Sequence, residues 1–124
     1  VKLLFERCIE IAPGYWGGSA HNALGALLVA TPPLLGGDPD AGHAHLLRAI
    51  DLGTEFLQHR VIYADYWGFT YDDLGRVSGI RDAELIRTQL HLVLDGAIGP
   101  WPFWNREAKQ EAAALLQRLE AMMP

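Results

Sequence analysis

Five histidines, one cysteine and a pair of adjacent aspartates are the residues of this chain whose types could do chemistry. His21, His59 and His91 fall on three different predicted helices. Brought together, they could hold a metal ion if oriented partners fixed their rings. His43 and His45 share one predicted helix. Residues two apart on a helix point about 200° apart, so this pair cannot jointly hold an ion. Cys8 stands near Arg7 and Glu10, and a nucleophile would need a histidine partner beside it; the reading favoured is a buried thiol on a helix face. Asp72-Asp73 lacks the spaced oxygen ligands of a calcium loop and reads as a solvated turn. The histidines read as surface or groove residues. Neither a glycine-rich phosphate loop nor a Gly-x-Ser-x-Gly elbow occurs. The expectation is a protein that is not an enzyme, with no cofactor and no metal.

The aromatic residues are a better candidate for function. Tyr15, Trp16, Tyr63, Tyr66, Trp67, Phe69 and Tyr71 form two concentrated sets, and Trp101, Phe103 and Trp104 a third. They either fill the core with their polar tips satisfied, or line a groove or anchor a partner. Leu34 and Leu35, beside Pro32 and Pro33, pose the same choice: they fold back on the helices or form a contact patch. The candidate ligand- or partner-binding residues are therefore Tyr15, Trp16, Leu34, Leu35, Arg60, Tyr63, Tyr66 and Trp67. In this set the aromatics supply apolar contact, while Arg60, Asp65 and the tips of Tyr63 and Tyr66 set orientation.

The elements that must position these residues are helical. Half of the 124 residues are hydrophobic, one fifth are charged, and the formal net charge is −5. The cations are scattered, which gives no electrostatic footprint for nucleic acid. Apolar residues recur at spacings of three and four, and no stretch alternates long enough to predict a strand. Six helical segments are expected, near residues 1–12, 19–31, 39–52, 55–67, 81–95 and 105–122. Asp38, Asp82 and Asn105 stand where N-caps would, and Pro39 suits a first turn. Gly96 and Gly99-Pro100 stop the fifth helix. The opening residues Leu3, Leu4, Arg7 and Ile11 read as the middle of an element, so sequence upstream of Val1 is expected.

An internal repeat is present. Residues 5–13 align with residues 46–54 at an offset of 41, so that Arg7 matches Arg48 and Cys8 matches Ala49. Each copy resembles the second helix of a tetratricopeptide repeat, and Leu24-Gly25-x-x-Leu28 resembles the first. Such repeats have a period of about 34 residues. The excess is placed in two unusual loops, Tyr15-Trp16-Gly17-Gly18 and Pro32 to Asp38.

Those loops, with Leu24-Gly25, Arg60-Val61-Ile62-Tyr63-Ala64-Asp65-Tyr66 and the segment from Asn105 to Leu116, are similar to the T component of tripartite ATP-independent periplasmic (TRAP) transporters, the TatT-like family. The similarity runs from about Phe5 to Leu119. It implies a single all-α domain over residues 1–124 of antiparallel helix pairs, a tetratricopeptide-like right-handed superhelix with enlarged loops. It further implies N-terminal helices that these residues do not include, and a periplasmic location, often with a lipoprotein anchor. The implied role is a non-catalytic accessory subunit that docks a solute-binding protein, holds a small hydrophobic ligand and forms trimers in some members. The alternative is a generic repeat scaffold for protein–protein contact with no ligand.

Overall fold

Residues 1–124 are all described by the computed structural model, which contains six α-helices and one small hairpin. They fold as two compact units, Val1–Thr54 and Glu55–Pro124. The first unit holds α1 (Lys2–Ile11), α2 (Ser19–Ala30) and α3 (Pro39–Leu52). The second holds α4 (Gln58–Tyr63), β1 (Phe69–Tyr71), β2 (Val77–Ile80), α5 (Ala83–Asp95) and α6 (Pro102–Met122). The chain is mostly helical, with helix pairs packed on each other, as the apolar spacing predicts.

In the first unit α2 lies along α3, and α1 lies against α2. The α2–α3 contact is close because two glycines face each other. A Cβ built on Gly25 would stand 2.8 Å from the Gly42 carbonyl oxygen and 2.8 Å from Leu46 Cγ. One built on Gly42 would stand 2.7 Å from Val29 Cγ2. Around this point Leu24, Leu28, Leu46, Ala49 and Ile50 are buried. Each large aliphatic side chain so removed from water contributes about 1.5–3 kcal/mol. Asp38 caps α3 by accepting from the Ala41 N–H at 3.1 Å, and Pro39 opens its first turn. Cys8 is exposed, contrary to the expectation of a buried thiol. Its repeat equivalent Ala49 is buried, but α1 has no buried residue at all, and Leu3, Leu4 and Ile11 are exposed beside it.

The second unit is built around Phe69, Ile86, Leu90, Val93, Ala108 and Ala112, all without exposed surface. The expected helix over residues 55–67 is shorter. After Tyr63 the backbone widens into a π-helical turn, Ala64–Gly68, and then enters β1. The antiparallel β1–β2 hairpin overturns the expectation of no strand. Its strands have three and four residues, too short for an alternating pattern to show. Asp72 ties the turn by accepting from the Leu74 and Arg76 N–H groups, both at 2.9 Å, so the acidic pair does mark a solvated turn.

Asp82 caps α5 by accepting from the Leu85 N–H at 2.9 Å. Asn105 does not cap α6. That helix starts earlier, with Pro102 in its first turn. Asn105 is buried within it and serves the incoming chain instead. Its Oδ1 accepts from the Leu57 N–H at 3.0 Å, and its Nδ2 donates to the Glu55 and Ile98 carbonyls, each at 2.8 Å. Lys109, one turn on, donates to the Val93, Leu94 and Gly96 carbonyls at 2.9, 2.6 and 2.6 Å. It thereby satisfies carbonyls that the end of α5 leaves unpaired.

Two substitutions test these contacts by urea denaturation. Asn105→Ala strands the buried Leu57 N–H and removes the donor to two half-buried carbonyls, and is expected to cost about 3 kcal/mol. Gly25→Ala drives a methyl into the Gly42 carbonyl and is expected to cost about 1–3 kcal/mol by forcing α2 and α3 apart. A loss under about 0.5 kcal/mol at either position would overturn its assigned contact.

Candidate functional site

Each unit contributes a distinct set of candidate side chains. In the first, Trp16, Gly17 and Gly18 form a left-handed run, with φ of 50°, 61° and 84°. Glycine adopts this conformation freely, whereas tryptophan pays about 1–2 kcal/mol. The run is anchored: the Ser19 hydroxyl donates to the Trp16 carbonyl at 2.6 Å, and a side chain on Gly53 would strike the Gly17 carbonyl. The loop therefore rests on the end of α3. Its aromatic rings meet edge to face with centroids 6.4 Å apart, and Tyr15 and Trp16 are 70% and 45% exposed.

At the other end of α2, Pro33–Leu35 forms a short 3-10 turn. The Pro32 carbonyl accepts from the Leu35 and Gly37 N–H groups, folding the backbone back while turning the side chains out. Leu34 is 95% and Leu35 75% exposed, so neither folds back on the helices. Twelve residues of helix separate the two loops, a distance of about 18 Å at the α-helical rise.

Between these loops lies a histidine pair that the sequence pattern did not reveal. His21 Nδ1 on α2 and His45 Nδ1 on α3 are 2.9 Å apart. His21 is one turn before Gly25 and His45 nearly one turn after Gly42, so the close helix approach brings the rings together. At least one ring must be neutral, because a hydrogen bond between two ring nitrogens needs an acceptor. Burial pushes the His21 pKa down, and the charges of His45 and Arg48 push it further. Burial also lowers that of His45, with Glu6 opposing. His45 forms part of the wall of a groove of about 370 Å³ together with residues of α1, α2 and α3. The remaining histidines differ from the surface reading in one case: His59 is fully buried, against Phe56 at 4.9 Å between ring centroids, while His91 is exposed. No group of three or more His, Cys, Asp or Glu side chains is placed to hold a metal ion.

In the second unit the π-helical turn aims Asp65, Tyr66 and Trp67 in successive directions. Asp65 accepts from the Tyr71 hydroxyl in a short hydrogen bond, and Arg118 from α6 reaches both, at 3.2 Å to Asp65 and 3.1 Å to Tyr71. Tyr66 stacks on Tyr71, with centroids 5.9 Å apart. Burial, then the hydrogen bond to Asp65 and its charge, push the Tyr71 pKa up to about 12. The phenol is therefore locked as a neutral donor, suited to holding a position and unsuited to exchanging protons near neutrality. Trp67 lies under the Arg81 guanidinium at 3.9 Å. Arg60 donates to Gln89 at 2.9 Å. Tyr63 is buried, and burial, then the Asp82 charge, raise its pKa.

The arrangement thus offers apolar and aromatic contact surfaces and fixed hydrogen-bond geometry. A family model described as the TRAP transporter T-component matches residues 1–123 of the chain. The chain belongs to that family. A T-component is an accessory subunit of a transporter. No curated protein gave a match. No helix is long and apolar enough to cross a membrane. Asp65, Tyr66 and Tyr71 were legible from the aromatic run and its acid; Arg118 joins them only through the fold.

The histidine pair makes the stability of this T-component sensitive to acid. Both folded-state pKa values lie below the ordinary 6.5. Below that value the unfolded chain binds protons that the folded pair refuses. Stability contributed by the neutral pair is full above pH 6.5 and is lost as pH falls through the folded values. Urea midpoints taken from about pH 7.5 down to about pH 5 should fall more steeply for the parent than for His21→Gln. Parallel slopes would show that the pair carries no such linkage.

Proposed function

We propose that this chain docks the periplasmic solute-binding protein of a TRAP transporter, as a non-catalytic binding subunit. The observation that carries the reading is the exposure of Leu34 and Leu35, 95% and 75%, at the end of α2 in a member of a transporter-subunit family. Tyr15 and Trp16 supply the second contact, at the opposite end of the same helix. Exposed aromatics and leucines held on a rigid turn lose little entropy on binding and bury much apolar area. The subunit also holds a small hydrophobic ligand between its helices, with Arg60, Tyr63, Tyr66 and Trp67 setting its shape and orientation. It works in the periplasm, anchored as a lipoprotein through a segment outside residues 1–124, and assembles as a trimer.

A second reading is a tetratricopeptide-like scaffold that binds protein and no ligand. The fully buried side chains of Phe69, Ile86, Leu90 and Val93 support it, since they fill the interior of the second unit.

A pull-down from periplasmic extract of the source cell, read by mass spectrometry, separates the outcomes. The parent chain should recover a TRAP solute-binding protein. The double variant Leu34→Asp/Leu35→Asp should recover at least about tenfold less, because truncating an interface anchor costs 1.4 kcal/mol or more. Absence of any solute-binding protein from the parent sample would remove the docking reading, and light scattering decides between monomer and trimer.

A further inference from the structure

The groove of the first unit has features that neither the fold nor partner docking uses. Its floor is apolar: Leu24 and Leu28 from α2, Ile9 from α1 and Ala41 from α3. Its rim is acidic, with Glu6, Glu10 and Asp38 against the single cation Lys2. Two of these carboxylates are committed elsewhere. Glu10 pairs with Arg7 at 2.9 Å, and Asp38 caps α3. Glu6 is half-buried, and no side chain bonds to it. Facing it from α3 is His45, whose Nδ1 is held by His21, leaving Nε2 as its remaining hydrogen-bonding atom.

We propose that this groove binds a small organic cation, a protonated amine carrying a short apolar body. The ammonium donates to the Glu6 carboxylate and to His45 Nε2, and the apolar body lies over Leu24 and Leu28. Three features select that class together. A volume of about 370 Å³ lies within the range of small-molecule sites, roughly 300–1,000 Å³. The uncommitted carboxylate favours a cation and repels an anion. The neutral histidine can accept a hydrogen bond from the ammonium at Nε2 when its own Nδ1–H is donated to His21, so binding fixes the tautomer of the pair. The groups around His45 are Glu6, Glu10 and Lys2 on α1, His21 on α2 and Asp38 at the start of α3, with Arg48 acting on His21; of the three carboxylates lining the groove, only Glu6 is uncommitted.

The inference goes beyond the proposed function, since none of Arg60, Tyr63, Tyr66 and Trp67 lines this groove. Its failure leaves the docking half standing, which the pull-down tests separately. The probe is phenethylammonium chloride, with phenylacetate as the anion of matched shape. Titration into the full chain near pH 7.5 is followed by amide and imidazole NMR shifts. Saturable shifts at Glu6, Leu24 and His45 are expected for phenethylammonium and not for phenylacetate. Glu6→Gln should weaken binding about tenfold, as loss of a charge-assisted hydrogen bond does. Glu10→Gln, which removes a carboxylate already paired with Arg7, should change it less than about threefold. Equal binding of the two probes, equal loss in the two variants, or no saturation at millimolar probe would each overturn the proposal. The circular dichroism of each variant shows whether it is folded, and His45→Gln gives a second arm if Glu6→Gln is not.

Discussion

The closeness of α2 and α3 at Gly25 and Gly42 is the constraint on which residues 1–54 depend. A side chain at either position would meet backbone or a packed neighbour at under 3 Å. With no side chain there, the helices come near enough for Leu24, Leu28, Leu46 and Ala49 to close a core in a unit of only 54 residues. The same approach sets the ring separation of His21 and His45, which lie on one side of the crossing, each about one turn from its glycine. It also fixes the two ends of α2, from which both exposed loops project. Helix propensity opposes such glycines, by about 1 kcal/mol each relative to alanine. They are retained because the packing they allow is worth more.

The second unit solves a different problem. Its core is apolar and complete, but the turn at residues 54–57 and the end of α5 leave backbone groups that helices and strands do not satisfy. Asn105 and Lys109, one turn apart on α6, supply those bonds from inside. Desolvated backbone groups cost more to strand than their bonds return when made, so these two polar side chains specify the arrangement more than they strengthen it. The π-helical turn is similar in kind. It inserts backbone to re-aim Asp65, Tyr66 and Trp67, and Tyr71 and Arg118 then fix the result.

What could be read from the sequence was what acts locally. Apolar spacing located every helix, and α3 matched residue for residue, because its cap, its proline and its stripe all agree. Asp38 and Asp82 cap as their positions suggest. Asn105 was misassigned because a cap and an interior amide look alike when the partners lie 48 and 50 residues away. The hairpin was too short to carry a period. Cys8 reads as buried because free cysteines usually are, yet burial depends on the neighbouring helix, and none covers it here. His21 and His45 were each visible, but their pairing arises from a helix approach that glycines set and no local signal announces.

The left-handed Trp16 shows how fold and function are joined in this chain. A backbone there costs about 1–2 kcal/mol for a residue with a side chain, and that side chain is left 45% exposed. A second glycine would remove the cost and keep the turn. The same holds for Leu34, which turns its whole side chain to water on a loop already closed by the Pro32 carbonyl. Neither residue stabilises the isolated unit in proportion to what it exposes. Strain and exposed apolar area coincide at one end of a helix, and exposed apolar area recurs at the other. That pairing is what a preformed contact surface requires: the side chains are oriented before binding, and the apolar area becomes favourable when a partner covers it.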